Sequence, residues 1–343
     1  MPRVILAGDV GGTKTRLALF SPDGTPRTPV FERDVASRDY PSLEALVLEF
    51  MAAASAKAAF AAIGIAGPVV QNRVEATNLP WQIDGTVLGA RLGGPCVLLN
   101  DLAATGWGIA HVAHTELEVL QVGVPSPGNG ALIAAGTGLG EALLIWDGAR
   151  HVPVASEGGH ADFAARDPLE DELVVWLRAT YGHVSYERVL SGHGLADIYR
   201  FLSDTGRGDE PGEFGARFRA DPDPARVVTA GALDGSCERA ALALERFVTI
   251  YGAEAGNLAL KAFALDGLYI GGGIAPRIAP ALRRGAFARA FNDKGRLTPV
   301  LSKIPIRLIL DDRAALWGAA AFAFATARPA PVAAGASGSR QAS

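Results

Sequence analysis

A strand-like apolar run that breaks into a glycine loop and resumes as a second apolar run occurs twice in this chain, and no other feature limits its fold as tightly. Val4-Ile5-Leu6-Ala7-Gly8-Asp9-Val10 breaks at Gly11-Gly12-Thr13 and resumes as Arg16-Leu17-Ala18-Leu19-Phe20, closed by the turn Ser21-Pro22-Asp23-Gly24. About 125 residues later, Ala131-Leu132-Ile133-Ala134-Ala135 breaks at Gly136-Thr137-Gly138-Leu139-Gly140, and Ala142 to Trp146 is the partner run. Two matching openings of this kind predict an internally duplicated α/β architecture. Strands alternating with helices argue for layered, largely parallel sheets, whose ligands bind at the carboxyl ends of strands. The glycine clusters stand at such ends.

The remaining elements fit that frame. Leu43, Leu46, Val47, Phe50 and Met51 fall at helical spacing after Pro41, which suits a first helical turn. Phe60 to Ala66 and Cys96 to Leu99 read as strands, the second stopping at Asn100-Asp101. Asp167, Pro168 and Glu170 make a helix start with N-cap, N1 and N3 in place. Residues 203–226, rich in Gly, Pro, Asp and Arg, read as a surface excursion. A long helix is expected from about Ser236 to Phe263, with Gly252 and Gly256 four apart for close backbone packing. Leu268-Tyr269-Ile270 then enters Gly271-Gly272-Gly273, Pro305 to Leu310 is the last strand, and Ala314 to Ala325 an Ala-rich helix. The tail, residues 328–343, has a disordered composition.

Composition removes whole classes of function. A chain of 343 residues exceeds one usual core and favours two domains or one large α/β unit. Its net charge of −4 leaves no basic field for nucleic acid or anionic lipid. Cys96 and Cys237 are its only cysteines, which excludes a disulfide scaffold and a four-cysteine zinc site and fits a reducing cytoplasm. No segment reaches the ~20 apolar residues of a membrane span. The N-terminus lacks the apolar stretch of a signal peptide.

In Asp9-Val10-Gly11-Gly12-Thr13, two glycines let successive N–H groups converge on an anion. Thr13 adds a hydroxyl, Lys14 or Arg16 would add charge, and Asp9 would hold Mg²⁺ through water. A plain hairpin turn is the competing reading, and the loop is not a Walker A motif because it joins two strands. Gly136-Thr137-Gly138 repeats the device, so two loops would clamp a polyphosphate, with Gly271-Gly272-Gly273 suited to a flat group such as a purine. At Asn100-Asp101, one residue would cap the following helix and the other face a substrate, where an aspartate would serve as general base. Glu157-Gly158-Gly159-His160 and Glu187 gather acceptors that suit a polyol. No metal-ligand spacing links His160, His183 or His193 to a cysteine, so direct protein ligation of a metal is not expected.

These segments resemble the bacterial glucokinases of the proteobacterial type, within the hexokinase, actin and Hsp70 ATPase superfamily. The resemblance rests on Gly8 to Thr13, Asn100-Asp101, Gly136 to Gly140, Glu157 to His160, Gly182-His183-Val184-Ser185, Glu187 to Gly192 and Gly271-Gly272-Gly273-Ile274. It implies a two-domain actin-like ATPase (ribonuclease H-like) fold with a duplicated β-sheet core and an interdomain cleft. The small domain would comprise residues 1–110 plus 312–327 and the large one residues 111–311, with Gly108 and the Gly136 loop as flexible points at the crossing. It implies a cytoplasmic homodimer phosphorylating the glucose 6-hydroxyl with ATP and Mg²⁺. By the resemblance, Asp101 is the base, while Asn100, Glu157, His160 and Glu187 hold sugar hydroxyls. Gly8, Asp9, Val10, Gly11, Gly12, Thr13, Gly136, Thr137, Gly138, Gly271, Gly272 and Gly273 would bind ATP. Lys14 stands where close relatives often carry Asn, and the zinc-binding cysteine motif of the ROK kinases (repressors, open reading frames and kinases) is absent. A kinase for mannose, fructose or glucosamine, or a sugar sensor without catalysis, remains open on these residues.

Overall fold

The computed structural model describes residues 2–327; the tail lies outside the described residues. The first half builds β1 (Arg3–Val10), β2 (Lys14–Phe20), β3 (Phe31–Ala36), α1 (Leu43–Ala53), β4 (Lys57–Ile65), β5 (Arg73–Glu75), β6 (Gln82–Asp84), α2 (Gly85–Leu92), β7 (Cys96–Asn100) and α3 (Asp101–Gly108). The second builds β8 (Leu117–Gln121), β9 (Gly130–Ala135), β10 (Leu139–Trp146), β11 (His151–Ser156), α4 (Pro168–Tyr181), α5 (Gly192–Asp204), α6 (Gly212–Ala220), α7 (Pro224–Leu233) and α8 (Glu238–Ala262). It is completed by β12 (Gly267–Gly271), α9 (Ala279–Arg283), α10 (Ala286–Asn292), α11 (Thr298–Leu301), β13 (Ile306–Ile309) and α12 (Ala314–Ala327).

The duplication extends through both sheets. One sheet has the order β3-β2-β1-β4-β7, the other β11-β10-β9-β12-β13-β8. In each, a hairpin of three antiparallel strands is followed by two strands parallel to the first, β4 and β7 in one and β12 and β13 in the other. In each, a helix follows the last parallel strand, α3 after β7 and α12 after β13.

Alternation along the strands divides the core into layers. On β1, Val4, Leu6 and Val10 face α1, while Ile5 and Ala7 face α12. On β9, Ala131 and Ile133 pack with α5 and α8, while Leu132 packs with Leu102 of α3. Helices α3 and α12 thus lie between the two sheets. They cross at reciprocal glycines: a Cβ on Gly108 would stand 2.0 Å from the Ala314 carbonyl oxygen, and one on Gly318 1.7 Å from that of Ala104. Each helix offers an alanine and, four residues on, a glycine. Gly108, expected as a flexible point, is therefore a packing position that only a residue without a Cβ fills.

Several local expectations need adjustment. Ser42 is the N-cap of α1, bonded to Ala45 N, so Pro41 precedes the cap. Asp167 does cap α4, accepting from Glu170 N. Residues 203–226 are not a bare surface excursion, because α6 buries Phe214 and Phe218 against Tyr199. That apolar pair, one helical turn apart, is masked by the surrounding Gly, Pro and Arg. Gly252 and Gly256 of α8 admit the backbone of α10 as expected, their Cβ positions falling 2.2 and 2.5 Å from the Phe287 and Phe291 carbonyl oxygens.

Candidate active site

The parallel strands of the first sheet end side by side, with Asp9 registered beside Gly64 and Asn100 beside Ile65. This aligns the first glycine loop with the start of α3. The Asn100 side chain is the cap: Oδ1 accepts from Leu102 N at 3.0 Å and Ala103 N at 3.3 Å, and Nδ2 donates to Gly67 O at 3.2 Å. Asp101 is thereby the first helical residue. Its Oδ1 accepts from Leu102 N at 2.8 Å, and Oδ2 has no hydrogen-bond partner among the described residues. Burial raises the Asp101 pKa above the ordinary carboxylate value; the backbone donors oppose this, and the Glu157 charge adds to it. Asn100 therefore takes the capping part expected of one of the two neighbours.

The first loop is held from beneath. Ser37 Oγ donates to Gly11 O at 2.7 Å and meets Thr15 Oγ1 at 2.9 Å, and Ser37 N donates to Thr13 O. Ser37 had no signal in the sequence. Burial, countered by Arg16 and reinforced by Asp101 and Asp312, pushes Asp9 up to about 6. The two cations expected to add charge are engaged elsewhere: Lys14 pairs with Asp34, and Arg16 binds Asp312 while standing 3.6 Å from Asp9.

The second and third loops meet. Ile274 N donates to Ala135 O, and Gly272, at φ +83°, brings its α-carbon against that same carbonyl, where a Cβ would fall at 2.4 Å. Beside them opens a cavity of about 570 Å³ lined by Gly136, Thr137, Gly273 and Ile274, with walls from α5 and α7 that include His193, Ala225 and Thr229. That volume lies within the range of nucleotide-sized pockets. Gly8 to Thr13 do not line it. The α5 and α7 walls escaped sequence reasoning, since no motif marks them.

Glu157 and His160 flank a single turn after β11 and lie 3.9 Å apart with both side chains mostly exposed. Glu187 reaches under the second loop, where Oε2 accepts from Leu139 N at 3.0 Å and leaves no room for a Cβ on Gly138. The two turns are tied together: Tyr186 N donates to Ala161 O, and Asp162 bridges Ser185. The structure thus gathers Asp9, Asp101 and Glu157 in one electrostatic neighbourhood and ties Glu187 to the second glycine loop. No cluster of three or more His, Cys, Asp or Glu with metal-binding geometry occurs among the described residues.

Comparison with known proteins decides the family. A family model described as glucokinase matches residues 6–326. The chain belongs to the glucokinase family. It is 41% identical to a glucokinase of Synechocystis sp., over 92% of this chain and 96% of that protein. Identity to a glucokinase of Erwinia tasmaniensis is 36%, over 94% of this chain and 97% of the relative. The crystal structure of a glucokinase from an Antarctic psychrotroph matches with a TM-score of 0.80 at 30% identity, covering 93% of this chain and 98% of that one. A ROK family glucokinase from Streptomyces griseus, solved with glucose and AMPPNP, shares the fold at a TM-score of 0.63 and 20% identity, covering 93% and 99%. The duplicated sheets and intervening helices are those of the actin-like ATPase fold that unites these kinases.

Proposed function

We propose that this chain transfers the γ-phosphoryl group of ATP to the 6-hydroxyl of glucose, giving glucose 6-phosphate and ADP. The observation that carries the reading is Asp101: a desolvated carboxylate at the start of α3, held through Oδ1, with Oδ2 unpaired among the described residues and the Glu157 charge nearby. A carboxylate so raised is a stronger base, suited to orient the attacking hydroxyl and take its proton. Glu157, His160 and Glu187 supply acceptors and a donor for the remaining sugar hydroxyls, and Asn100 contributes its second Nδ2 hydrogen besides holding α3 in place. Membership of the glucokinase family supports glucose over other hexoses.

ATP would lie with its base in the cavity beside Gly273 and its phosphates between Gly136-Thr137-Gly138 and Gly11-Gly12-Thr13. Phosphoryl transfer is mostly positioning and charge stabilisation, so the loop N–H groups left free once Gly11 N and Gly136 N close their own turns would carry much of the rate. Asp9, with the carboxylates of Asp101 and Asp312 near it and the Arg16 guanidinium 3.6 Å away, would hold Mg²⁺ through water; when bound, the ion would neutralise phosphate charge. Two lobes, residues 1–110 with 312–327 and residues 111–311, would close on the substrates to exclude water. A cytoplasmic homodimer is the setting we infer; the family and the two free, buried thiols support a reducing compartment.

The test is ADP release with Mg-ATP across glucose, mannose, fructose, glucosamine and N-acetylated hexoses. Turnover strongest on glucose is expected, and turnover confined to another hexose would overturn the substrate. Asp101→Asn should cut kcat by at least ~10²-fold while glucose still binds; near-normal turnover would remove Asp101 from the role.

A further inference from the structure

Beneath the two sugar-facing turns lies a second acidic centre that takes no part in the chemistry above. Glu141 of β10 is 1% exposed and Glu254 of α8 is fully buried. The two carboxyl groups are within hydrogen-bonding reach of each other. Glu141 Oε1 receives no N–H or O–H from the described residues. Two ionised carboxylates in contact, both shielded from water, repel strongly, and a buried oxygen without a donor is costly. A proton held between them removes both penalties. In agreement, burial and the neighbouring Glu254 push Glu141 up to about 7, against the opposing charge of Lys261.

Glu141 meets one turn of the sugar site directly, and Glu254 reaches the other through Asn257. A Cβ on Gly158 would lie 2.1 Å from Glu141 Oε2, so this carboxyl group is pressed against the turn that carries Glu157 and His160. Glu254 Oε2 accepts from Asn257 Nδ2 at 2.7 Å, and the same amide donates to Tyr186 Oη at 3.1 Å. Tyr186 lies close enough to feel the Glu254 charge, which with burial raises its pKa, and it precedes Glu187 in the chain. Lys294 Nζ completes the network by donating to Asn257 Oδ1 at 2.6 Å and Ala253 O at 2.9 Å.

We propose that Glu141 and Glu254 share one proton, and that this hydrogen bond is a strut that positions the Glu157–His160 turn and the Tyr186-Glu187 turn for glucose. The proposal rests on the assignment of those turns to glucose. Both glutamates are positioning residues, since neither faces the reacting atoms. The charged and titratable groups around them are Lys261 and Tyr251 on α8, Tyr186 on its turn, Lys294 after α10, and, farther off, Arg166 and Asp293. The strut is closed while the proton is present. As pH rises through the titration of the pair, a second buried negative charge appears, the carboxyl groups part, and Gly158 moves with β10. Glucose KM therefore rises with pH, with little change in kcat.

Glu141→Gln tests this, because the amide donates an Nε2–H to Glu254 at every pH. Steady-state kinetics from about pH 6 to about pH 9 should give a wild-type glucose KM that climbs by ~10-fold and a flat E141Q profile. Other groups of the site ionise alike in both proteins, so the difference isolates the pair. Parallel profiles would overturn the proposal. E254Q, with the amide on the other partner, provides the same comparison should E141Q fold poorly. Infrared difference spectra between wild type and E141Q supply a readout that does not depend on turnover. A protonated-carboxyl band present in wild type near pH 6 and lost by about pH 9 supports the shared proton; its absence refutes it. If the wild-type enzyme shows the band but phosphorylates another sugar or none, the glucose assignment fails and the buried pair stands.

Discussion

Substituting Gly318 by Ala should damage stability and catalysis together, and the size of the effect follows from the crossing of α3 and α12. The added methyl carbon would fall 1.7 Å from Ala104 O and 2.5 Å from Gly108 N, whereas ordinary van der Waals contact begins near 3.4 Å. Both obstructing atoms are backbone, so no side chain can swing aside. The helices must part by more than 1 Å. Helix α12 is backed by the first sheet through Ile5, Ala7 and Phe20, and α3 is backed by the second through Leu102 against Leu132 and Leu144. Overpacking of this kind costs about 1–3 kcal/mol, and more where both sides are rigid. Because Asp101 is the first residue of α3, a displacement near 1 Å would also misplace the proposed base, which is worth ~10²-fold in rate. Gly212→Ala is the matched control: its Cβ would meet nothing within 4 Å, at the exposed first position of α6, so stability should hold or rise slightly. Thermal unfolding and coupled ADP-release kinetics read both quantities. A G318A protein with wild-type Tm and kcat would refute the packing argument and the link from α12 to Asp101.

Four further outcomes follow. Glu157→Gln should raise glucose KM by ~10-fold through loss of a charged acceptor. It should also move the acid limb of kcat/KM to lower pH, since the Glu157 charge helps hold the Asp101 pKa above its usual 3.8; an unmoved limb would separate the two residues. Asp9, raised from 3.8 to about 6, costs the folded state most when ionised. The stability linked to its raised pKa is fully present below the unfolded value and is lost as pH rises through about 6. Asp9→Asn should therefore stabilise the unliganded protein by up to ~3 kcal/mol above that pH, with the gain vanishing near pH 4 in thermal unfolding. Cys96, buried and pushed up to about 12, and Cys237, also buried, should resist iodoacetamide in the native state and react only on unfolding, as mass spectrometry would report.

The parts legible in the sequence were those where one residue type must occur at one place. Glycines at strand ends, the Asn100-Asp101 step and the Asp167 cap signal local backbone chemistry, and each appears where the pattern put it. The edge strands gave little signal: β3 sets Glu32, Arg33 and Asp34 among few apolar residues, and β11 carries Pro153 between Val152 and Val154, which weakens a strand reading. The walls of the nucleotide-sized cavity come from helices brought together by tertiary packing, which no local spacing records. Glu141 and Glu254 were visible as carboxylates inside apolar runs, but only the structure pairs a strand residue with one 113 positions away. The engagement of Lys14 and Arg16 with Asp34 and Asp312 is likewise a long-range outcome.

The duplication also explains why chemistry resides on one side of the molecule. In each half, the last parallel strand runs into an acidic turn and then a helix: Asn100-Asp101 before the body of α3, and Asp311-Asp312 before α12. The second turn is consumed by structure. Asp311 Oδ2 binds Arg27 at 2.6 Å and Trp317 Nε1 at 2.8 Å, its Oδ1 accepts from Arg313 N, and Asp312 holds Arg16. Among the described residues the first turn has no such cation. Asn100 takes over the capping, and Asp101 keeps one oxygen uncommitted in a desolvated position. The oxygens of Asp311 are spent on donors, whereas Asp101, desolvated and held only by backbone donors beside the Glu157 charge, has its pKa raised and is the stronger base for it. Equivalent places in a repeated fold thus acquire opposite tasks from the partners around them. Supplying Asp101 with a nearby guanidinium would be expected to lower its pKa and its activity together.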